Sequence, residues 1–332
     1  MGAAAGPARP ERLAVTVIGG YLGAGKTTLL NRLLSEVSGL RLAVLVNDFG
    51  EVNIDAALIA NRDGETLSLT NGCVCCSIGD NLGNTLFDLA ERPDGPEHIV
   101  VEASGVADPA RIAHYAGCHP RLAVDGIVVV ADAETVRARA DDKYVGDLVR
   151  QQLAAADLIV LSRTDLMPPA ATQDVRHWIE AEVPGASVLA RPEAGRFAQM
   201  LLVGGSGGVA DLSSMEDHGS LFAAWRLTSA QPLDGPGLRR ALAGLPPAVC
   251  RAKGIVSLAE APGRRFVLQS VGRRWTLEPA EGDGDSPLES RSDIVVIGLV
   301  GQLDTAGLDA LFALARPAGL PAAVAALLKP EE

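Results

Sequence analysis

The segment "GYLGAGKTTLLNRLL" at residues 20–34 decides the fold of the first part of this chain. It contains the pattern G-x-x-x-x-G-K-T and stands between an apolar run, "RLAVTVIGG", and leucines that recur at helical spacing. Glycines at such a turn let backbone N–H groups surround a phosphate at a helix N-terminus. A turn that binds nothing would explain the glycines, but it gives no reason for the lysine and threonine in the first helical turn. The pattern therefore predicts a phosphate-binding loop.

The individual residues of this loop have predicted ligands. We expect Lys26 to reach the β- and γ-phosphates of a nucleotide, and the hydroxyl of Thr27 to hold Mg²⁺. The other residues expected to surround the phosphates are Gly20, Gly23, Ala24, Gly25 and Thr28.

Four more apolar runs follow the first, separated by segments with helical patterns. They are "LRLAVLVND", "EHIVVEAS", "DGIVVVADA" and "ADLIVLSRTD". Alternation of strands and helices is typical of a parallel sheet covered by helices on both faces. The fold class expected here is therefore α/β, a P-loop NTPase domain with a mostly parallel sheet.

The pattern changes after Arg196 and predicts a second, smaller α+β domain. Residues 203–220 are rich in glycine, serine and aspartate, which favours a linker or mobile loop. Strands are expected beyond it at "LFAAWRLTSA", "CRAKGIVSLAE", "RRFVLQSVGRRWTLEP" and "RSDIVVIGLVG", and helices at "LDGPGLRRALAGL" and "TAGLDALFALA". The predicted organisation is a frayed tail (1–11), the P-loop domain (12–202), a linker or mobile loop (203–221), the C-terminal α+β domain (222–318) and a C-terminal tail (319–332).

Composition limits the classes of function. The chain has 332 residues, 48% of them apolar, and a net charge of −12. Such an acidic chain lacks the basic face with which nucleic-acid binders release counterions. No run reaches the roughly 18–20 apolar residues that cross a bilayer, the start does not resemble a secretory signal, and the cysteines are clustered. We expect a folded cytoplasmic protein that binds neither nucleic acid nor membrane.

Two further strand ends carry polar residues suited to a nucleotide. Glu102 ends one apolar run and Gly105 follows it, where P-loop proteins place an acid for the Mg²⁺ shell and a glycine N–H for the γ-phosphate. Asp165 ends another run, and its carboxylate can accept hydrogen bonds from guanine N1–H and the exocyclic amine. Taken singly, an acid at a strand end is about as often a helix cap or turn residue. The ordered set favours a guanine-nucleotide site.

Three of the five cysteines lie together in "LTNGCVCCSIGD", residues 69–80. Cys73, Cys75 and Cys76 form a C-x-C-C pattern whose soft thiolates suit Zn²⁺, with water or a carboxylate, Asp48 or Glu51, as the fourth ligand. Buried free cysteines and a redox pair are the alternatives. The motif lies between "NDFGE" and the Glu102 strand, both expected to sense the γ-phosphate, so metal and nucleotide can bias one element.

The ordered motifs "GYLGAGKTTLLNRLL", "NDFGEVNIDAALI", "LTNGCVCCSIGDNL" and "VVEASGVADPARIA" resemble those of the CobW-type P-loop GTPases. The later "CRAKGIVSLAE" and "SDIVVIGL" are similar to that family's C-terminal domain. This resemblance implies GTP hydrolysis coupled to binding or delivery of a transition metal, with the three cysteines matching the family's C-x-C-C motif. Zinc is the expected metal and cobalt the second choice. The residues expected to carry catalysis are Lys26, Asp48 and Glu102.

Two departures from the family pattern affect these expectations. The usual base-recognition motif is Asn-Lys-x-Asp, whereas residues 162–165 are Ser-Arg-Thr-Asp. Ser162 cannot reach guanine N7 as an amide does, so weaker affinity or base selectivity is expected. Many relatives carry a histidine run between the domains, but this chain has only "MEDHGS" with His218, which does not support a high-capacity metal buffer.

The function predicted from these observations is a GTPase that hands a metal ion to a client metalloprotein docked largely on the second domain, as a monomer or weak dimer. The alternative is a nucleotide-gated regulatory or assembly factor whose cysteine site is purely structural. Weaker candidates are His114, Cys118 and His119, for which a helix end packed against the sheet is preferred to a metal site. Cys250 is expected to be buried, and Trp225 and Trp275 are expected to pack in the core of the second domain or at its interface.

Overall fold

The computed structural model of the chain describes residues 12–36, 41–46, 66–68, 81–93, 95–190, 197, 201, 222–280 and 291–316. No helix within these ranges is long and apolar enough to cross a membrane. The predicted tails, the linker at 203–221 and several predicted residues lie outside the described ranges: Asp48, Glu51, Cys73, Cys75, Cys76 and His218.

Seven strands of the described ranges form a sheet, the first sheet, which carries the phosphate loop. Its strands are β1 (Leu13–Gly19), β2 (Leu42–Val46), β3 (Thr66–Ser68), β4 (His98–Glu102), β5 (Leu122–Asp132), β6 (Leu158–Ser162) and β7 (Ser187–Ala190). They lie in the order β3-β2-β4-β1-β5-β6-β7, and every pairing is parallel. Because β1 is central, the loop that follows it starts in the middle of the carboxyl edge of the sheet.

Six helices of the described ranges connect these strands. They are α1 (Lys26–Glu36), α2 (Asn81–Glu91), α3 (Pro109–Gly117), α4 (Val136–Ala140), α5 (Gly146–Ala155) and α6 (Pro169–Glu182). The start of α3 follows from local chemistry. The carboxylate of Asp108 accepts a hydrogen bond from the N–H of Ala110 at 2.9 Å, and Pro109 occupies the first helical position, where its missing N–H costs nothing.

The second sheet is antiparallel and has five strands within the part of the chain that the structure describes. They are β8 (Phe222–Ser229), β9 (Val249–Ser257), β10 (Arg265–Val271), β11 (Arg274–Pro279) and β12 (Ser292–Leu299), in the order β11-β10-β9-β12-β8. Two helices, α7 (Gly235–Ala243) and α8 (Thr305–Ala313), pack on it. The predicted fold class is confirmed: an α/β sheet of P-loop type followed by a smaller α+β unit.

The second sheet packs against one face of the first. Helices α2 to α6 cover the opposite face, as expected. On the face toward the second sheet, α1 and side chains of that sheet form one apolar cluster. The prediction of helices on both faces therefore left out the second sheet, which covers part of this face. The reason is the period of β12: Val295 and Ile297 point to the first sheet, while Ile294 and Val296 point to α7 and α8.

Cys250, Trp225 and Trp275 all lie on strands of the second sheet. Cys250 is 0% exposed, and Trp225 packs on Phe312 with ring centroids 5.0 Å apart, while Trp275 packs at the margin of the same cluster. The burial of Cys250 and the packing of both tryptophans on the second sheet's core are confirmed, although Trp275 is only half-buried. The short strands β3 and β7 were not predicted; they form the two ends of the first sheet, where three or four residues give little periodicity.

A buried ion pair joins the two sheets. The guanidinium of Arg251 on β9 donates from Nη2 to both carboxylate oxygens of Asp125 on β5, at 3.2 and 3.0 Å, and both side chains are 2% exposed. The pairing of β5 with β1 skips one residue at Asp125. A bulge of this kind redirects a side chain, and it accounts for a carboxylate of β5 that meets the second sheet.

Two more polar side chains surround this pair, His98 of β4 and Lys253 of β9. Burial lowers the pKa of His98 to about 4, against the opposing charge of Asp125, so the imidazole is neutral near pH 7. It shares a hydrogen bond of 2.8 Å with the hydroxyl of Thr16. Burial also lowers the pKa of Lys253 well below its ordinary value. For Asp125, burial is the largest influence and opposes ionisation, but the neighbouring basic groups, Arg251 first, and the Arg251 hydrogen bond together hold the pKa below its ordinary value.

Candidate functional site

The loop between β1 and α1 contains three glycines with positive φ. Gly20, Gly23 and Gly25 have φ of 134°, 73° and 97°. At Gly20 a Cβ atom would lie 2.2 Å from the carbonyl oxygen of Val130, so any residue larger than glycine would clash with β5 at this position. The predicted phosphate residues therefore form one tight turn that ends at a helix N-terminus, a geometry suited to anions.

The three residues that follow Gly25 form the first turn of α1. Lys26 is 7% exposed, and Thr28 is exposed to solvent. Ala24, on the other side of the glycine, is 3% exposed. The lysine side chain is thus held within the fold at the start of the helix rather than extended into water.

The hydroxyl of Thr27 donates a hydrogen bond to Oε1 of Glu102 at 2.9 Å. The sheet determines this approach because β4 pairs with β1 in a register that places Glu102 opposite Ile18, near the end of the strand. Glu102 is 1% exposed. A hydroxyl and a carboxylate oxygen are hard donors of the kind that Mg²⁺ prefers. The fold therefore brings together the two predicted magnesium ligands.

A tight turn follows β4. The N–H of Ala107 donates to the carbonyl of Ser104 at 3.0 Å, and the N–H of Val106 donates to the Ser104 hydroxyl at 3.4 Å. Within the described ranges, the N–H of Gly105 has no hydrogen-bond partner. A Cβ atom on Gly105 would lie 2.8 Å from Cα of Leu22 in the phosphate loop. The predicted γ-phosphate donor thus lies against that loop.

Ser162 and Arg163, which depart from the usual base-recognition motif, are hydrogen-bonded to the phosphate loop. The Ser162 hydroxyl donates to the carbonyl of Ala24 at 2.7 Å, and Nη2 of Arg163 donates to the carbonyl of Gly23 at 3.1 Å. Nη1 of Arg163 donates to Oδ2 of Asp132 at 2.8 Å. The pair therefore ties the end of β6 to the loop. The sequence pattern did not indicate this role of Ser162 and Arg163, nor that of Asp132, which stood out only as an acid at the end of a strand.

Asp165 lies in a short 3₁₀ turn at Thr164–Leu166 and is exposed. Arg163 precedes this turn with φ of 56°, and it is the one non-glycine residue of the described ranges with positive φ. This conformation turns the chain sharply between Ser162, which contacts the loop, and Asp165. Of the four residues in the base-recognition position, Asp165 is the one whose carboxylate can accept from guanine.

Asp165→Ala should lower the preference for GTP over ATP at least about tenfold, because a site built to hydrogen-bond a donor rejects analogues that lack it. The measurement is kcat/KM for both nucleotides in the variant and the unmodified protein. Asp174→Ala, which removes an exposed aspartate of α6, is the matched control and should leave the ratio unchanged. Equal use of GTP and ATP by the unmodified protein would contradict the assignment and show that the Ser-Arg departure has relaxed base selectivity.

His114 and Cys118 lie near the C-terminal end of α3, and both are exposed rather than packed against the sheet. With Trp275 and other residues they line a cleft of about 530 Å³ between α3 and β11. No cluster of three or more His, Cys, Asp or Glu side chains arranged for a metal ion occurs among the described residues. The two residues therefore have no third ligand there.

The fold and the site together define a class: a P-loop nucleotide-binding protein with glutamate at the end of β4, beside the loop threonine, and an antiparallel second sheet packed on the first. Two family models match the chain. Residues 14–190 match the nucleotide-binding domain of CobW/HypB/UreG, and residues 222–316 match the C-terminal domain of the cobalamin synthesis protein cobW. The chain belongs to the CobW/HypB/UreG family.

Three curated relatives are similar to this chain. "Zinc chaperone CobW" of Sinorhizobium sp is 29% identical over 336 residues, which span 88% of this chain and 94% of the relative. "Zinc chaperone YjiA" of Escherichia coli (strain K12) is 39% identical over 46% of this chain and 50% of its own length. "Zinc-regulated GTPase metalloprotein activator 1" of Saccharomyces cerevisiae is 36% identical over 47% of this chain and 42% of its own length. The first likeness thus includes both sheets, whereas the other two span about half of each chain.

Proposed function

We propose that this chain is a GTP-hydrolysing metallochaperone that couples its nucleotide state to binding a transition metal and transferring it to a client metalloprotein. The observation that carries the proposal is the contact of Thr27 with Glu102 beside the phosphate loop, since a hydrolysing site needs a metal-binding acid at that place. Family membership supports nucleotide binding. The names of the relatives, zinc chaperones and a zinc-regulated GTPase, support GTP and zinc.

In the proposed nucleotide site, each of the described residues has a specific role. Thr27 and Glu102 would hold Mg²⁺, which when bound neutralises charge on the phosphates. Lys26 binds the β- and γ-phosphates, the N–H of Gly105 contacts the γ-phosphate, and Asp165 recognises guanine. Asp48 is proposed as a catalytic residue on its position in the sequence alone.

The metal half of the proposal treats the ion as cargo. Cys73, Cys75 and Cys76 bind it through thiolates, which suit Zn²⁺, with Co²⁺ as the second choice. An exchangeable fourth position favours transfer over a closed structural site. We propose a cytoplasmic location, on the clustering of the cysteines, and a client that docks largely on the second sheet and its helices.

Zinc affinity should differ at least about fivefold between the GDP state and the state with a non-hydrolysable GTP analogue, because allosteric couplings between two sites are typically of this size or larger. A competition titration against a chromophoric chelator, with Mg²⁺ and each nucleotide in turn, measures the difference. Linkage requires the reciprocal result as well: zinc must change the ratio of analogue to GDP affinity by the same factor.

Two cysteine variants make this titration specific. Serine at positions 73, 75 and 76 should remove both zinc binding and the linkage while nucleotide affinity is retained, because a hydroxyl is a hard, weakly acidic ligand. Cys118→Ser, at an exposed free cysteine of the described ranges, is the control and should keep both. Tight zinc binding that ignores the nucleotide in the unmodified protein would contradict the chaperone proposal and favour a regulatory or assembly factor with a structural metal site.

A further inference from the structure

The side chain of Gln152 reaches from α5 to the turn that contains Gly105. Its Nε2 donates to the carbonyl of Gly105 at 3.2 Å and to the carbonyl of Ala107 at 2.9 Å. Gln152 is 1% exposed. One buried amide group therefore binds the two carbonyls on either side of Val106, and it connects α5 with a turn 47 and 45 residues earlier in the chain.

These two hydrogen bonds orient the peptide groups that follow Gly105 and Ala107. The preceding peptide group, which carries the N–H of Gly105, is held by the hydrogen bond from the N–H of Ala107 to the carbonyl of Ser104. With the carbonyls of Gly105 and Ala107 directed to α5, and the N–H groups of Val106 and Ala107 bound to Ser104, the N–H of Gly105 is left without a partner among the described residues. That N–H belongs to the residue that lies against Leu22 of the phosphate loop.

Keeping a glutamine at this place has a cost that an apolar side chain would not have. In the described part of the chain, Oε1 of Gln152 is buried and has no hydrogen-bond partner. An unpaired amide oxygen in the interior is unfavourable. Its retention needs a compensating contact, and among the described residues that contact is the double hydrogen bond to the turn.

We infer that Gln152 is the positioning residue for the γ-phosphate contact: by holding the carbonyls on either side of Val106 it keeps the turn closed on Ser104, and the closed turn leaves the N–H of Gly105 available to the γ-phosphate. This inference rests on the proposed GTP hydrolysis. A nucleoside diphosphate has no γ-phosphate for Gly105 to contact. Loss of the Gln152 amide therefore weakens triphosphate binding and leaves diphosphate binding unchanged, whereas general damage to the fold weakens both.

Gln152→Met tests the inference because methionine keeps the length of the side chain and removes the donor. We expect the dissociation constant of a non-hydrolysable GTP analogue to rise at least about tenfold while that of GDP stays the same, since a hydrogen bond from a well-placed N–H to a charged phosphate is lost. In steady-state turnover of GTP, KM should rise more than kcat falls. Both nucleotides are titrated with the full-length protein in the presence of Mg²⁺.

Gln151→Met is the matched control. Gln151 is the neighbouring residue of α5, is exposed, and donates to the side chain of Asp108 at 2.9 Å, not to the turn backbone. This variant should keep the unmodified ratio of analogue to GDP affinity. If Gln152→Met fails to fold, Gln152→Asn carries the same expectation, because its shorter amide cannot reach both carbonyls.

The outcomes separate the inference from the proposed function. An unchanged ratio of analogue to GDP affinity in a folded Gln152 variant overturns the positioning role and leaves GTP hydrolysis standing. Failure of the unmodified protein to bind the GTP analogue overturns the proposed function and this inference together. A parallel loss of affinity for both nucleotides shows that Gln152 has only a structural role.

Discussion

Lys26→Ala should lower kcat/KM for GTP at least about 100-fold, the usual loss when a preorganised group that stabilises developing charge is removed. Lys26 is the first residue of α1, directly follows the phosphate loop and is 7% exposed. Alanine keeps the helix propensity of this position. The backbone of the loop should therefore persist while the cation is lost, and phosphate release from GTP with Mg²⁺ measures the effect.

Lys143→Ala is the control for the loss of a positive charge. Lys143 is exposed and lies over the ring of Tyr144, with its ammonium 4.6 Å from the ring centroid. Its removal should change turnover by less than about twofold, as exposed substitutions away from a site usually do. Unmodified turnover in Lys26→Ala would show that the loop between β1 and α1 is not the phosphate site.

Arg251→Met should lower the free energy of unfolding by about 3–5 kcal/mol, because it leaves the carboxylate of Asp125 buried without its partner. The double variant Asp125→Leu/Arg251→Met should recover most of this loss. The reason is that Nε and Nη1 of Arg251 are buried with no hydrogen-bond partner among the described residues, so the pair does not fully offset the desolvation of its charges. Urea unfolding of both single variants and the double variant measures the coupling energy.

Arg226→Met provides the comparison for an exposed ion pair on the same sheet. Arg226 contacts both carboxylate oxygens of Asp293, but the two side chains are 43% and 20% exposed. Water replaces a lost partner there, so stability should change far less than in Arg251→Met. A double variant at Asp125 and Arg251 that is as unstable as Arg251→Met would contradict the expectation that two apolar side chains can replace the pair.

The first sheet shows why some strands can be predicted from sequence and others cannot. β1, β2, β4, β5 and β6 are buried and nearly continuous in apolar residues, which makes each recognisable alone. β3 and β7 have three and four residues. A segment that short becomes a strand only because a longer neighbour offers hydrogen bonds, and this information lies outside the segment.

The candidate site also contains residues that the sequence predicts and contacts that it does not. The glycines, Lys26 and Thr27 stand next to one another in the chain, so the spacing of residue types was enough to predict a phosphate loop. Glu102 could be proposed because it ends a buried strand, where P-loop proteins place an acid for the Mg²⁺ shell. The contact of Ser162 with Ala24 could not be proposed: its two residues are 138 positions apart, and the serine looked like the loss of a function.

The sequence by itself determined the local features of this protein. These are the phosphate turn, whose glycines allow positive φ, the buried strands and the three cysteines at C-x-C-C spacing, because each depends on residues close together in the chain. Only the tertiary structure decided which distant polar groups meet: Arg251 with Asp125, and Gln152 with the turn at Gly105. Such a contact requires two strands or helices to be packed at a particular register. The sequence around one partner does not indicate which distant residue it will meet.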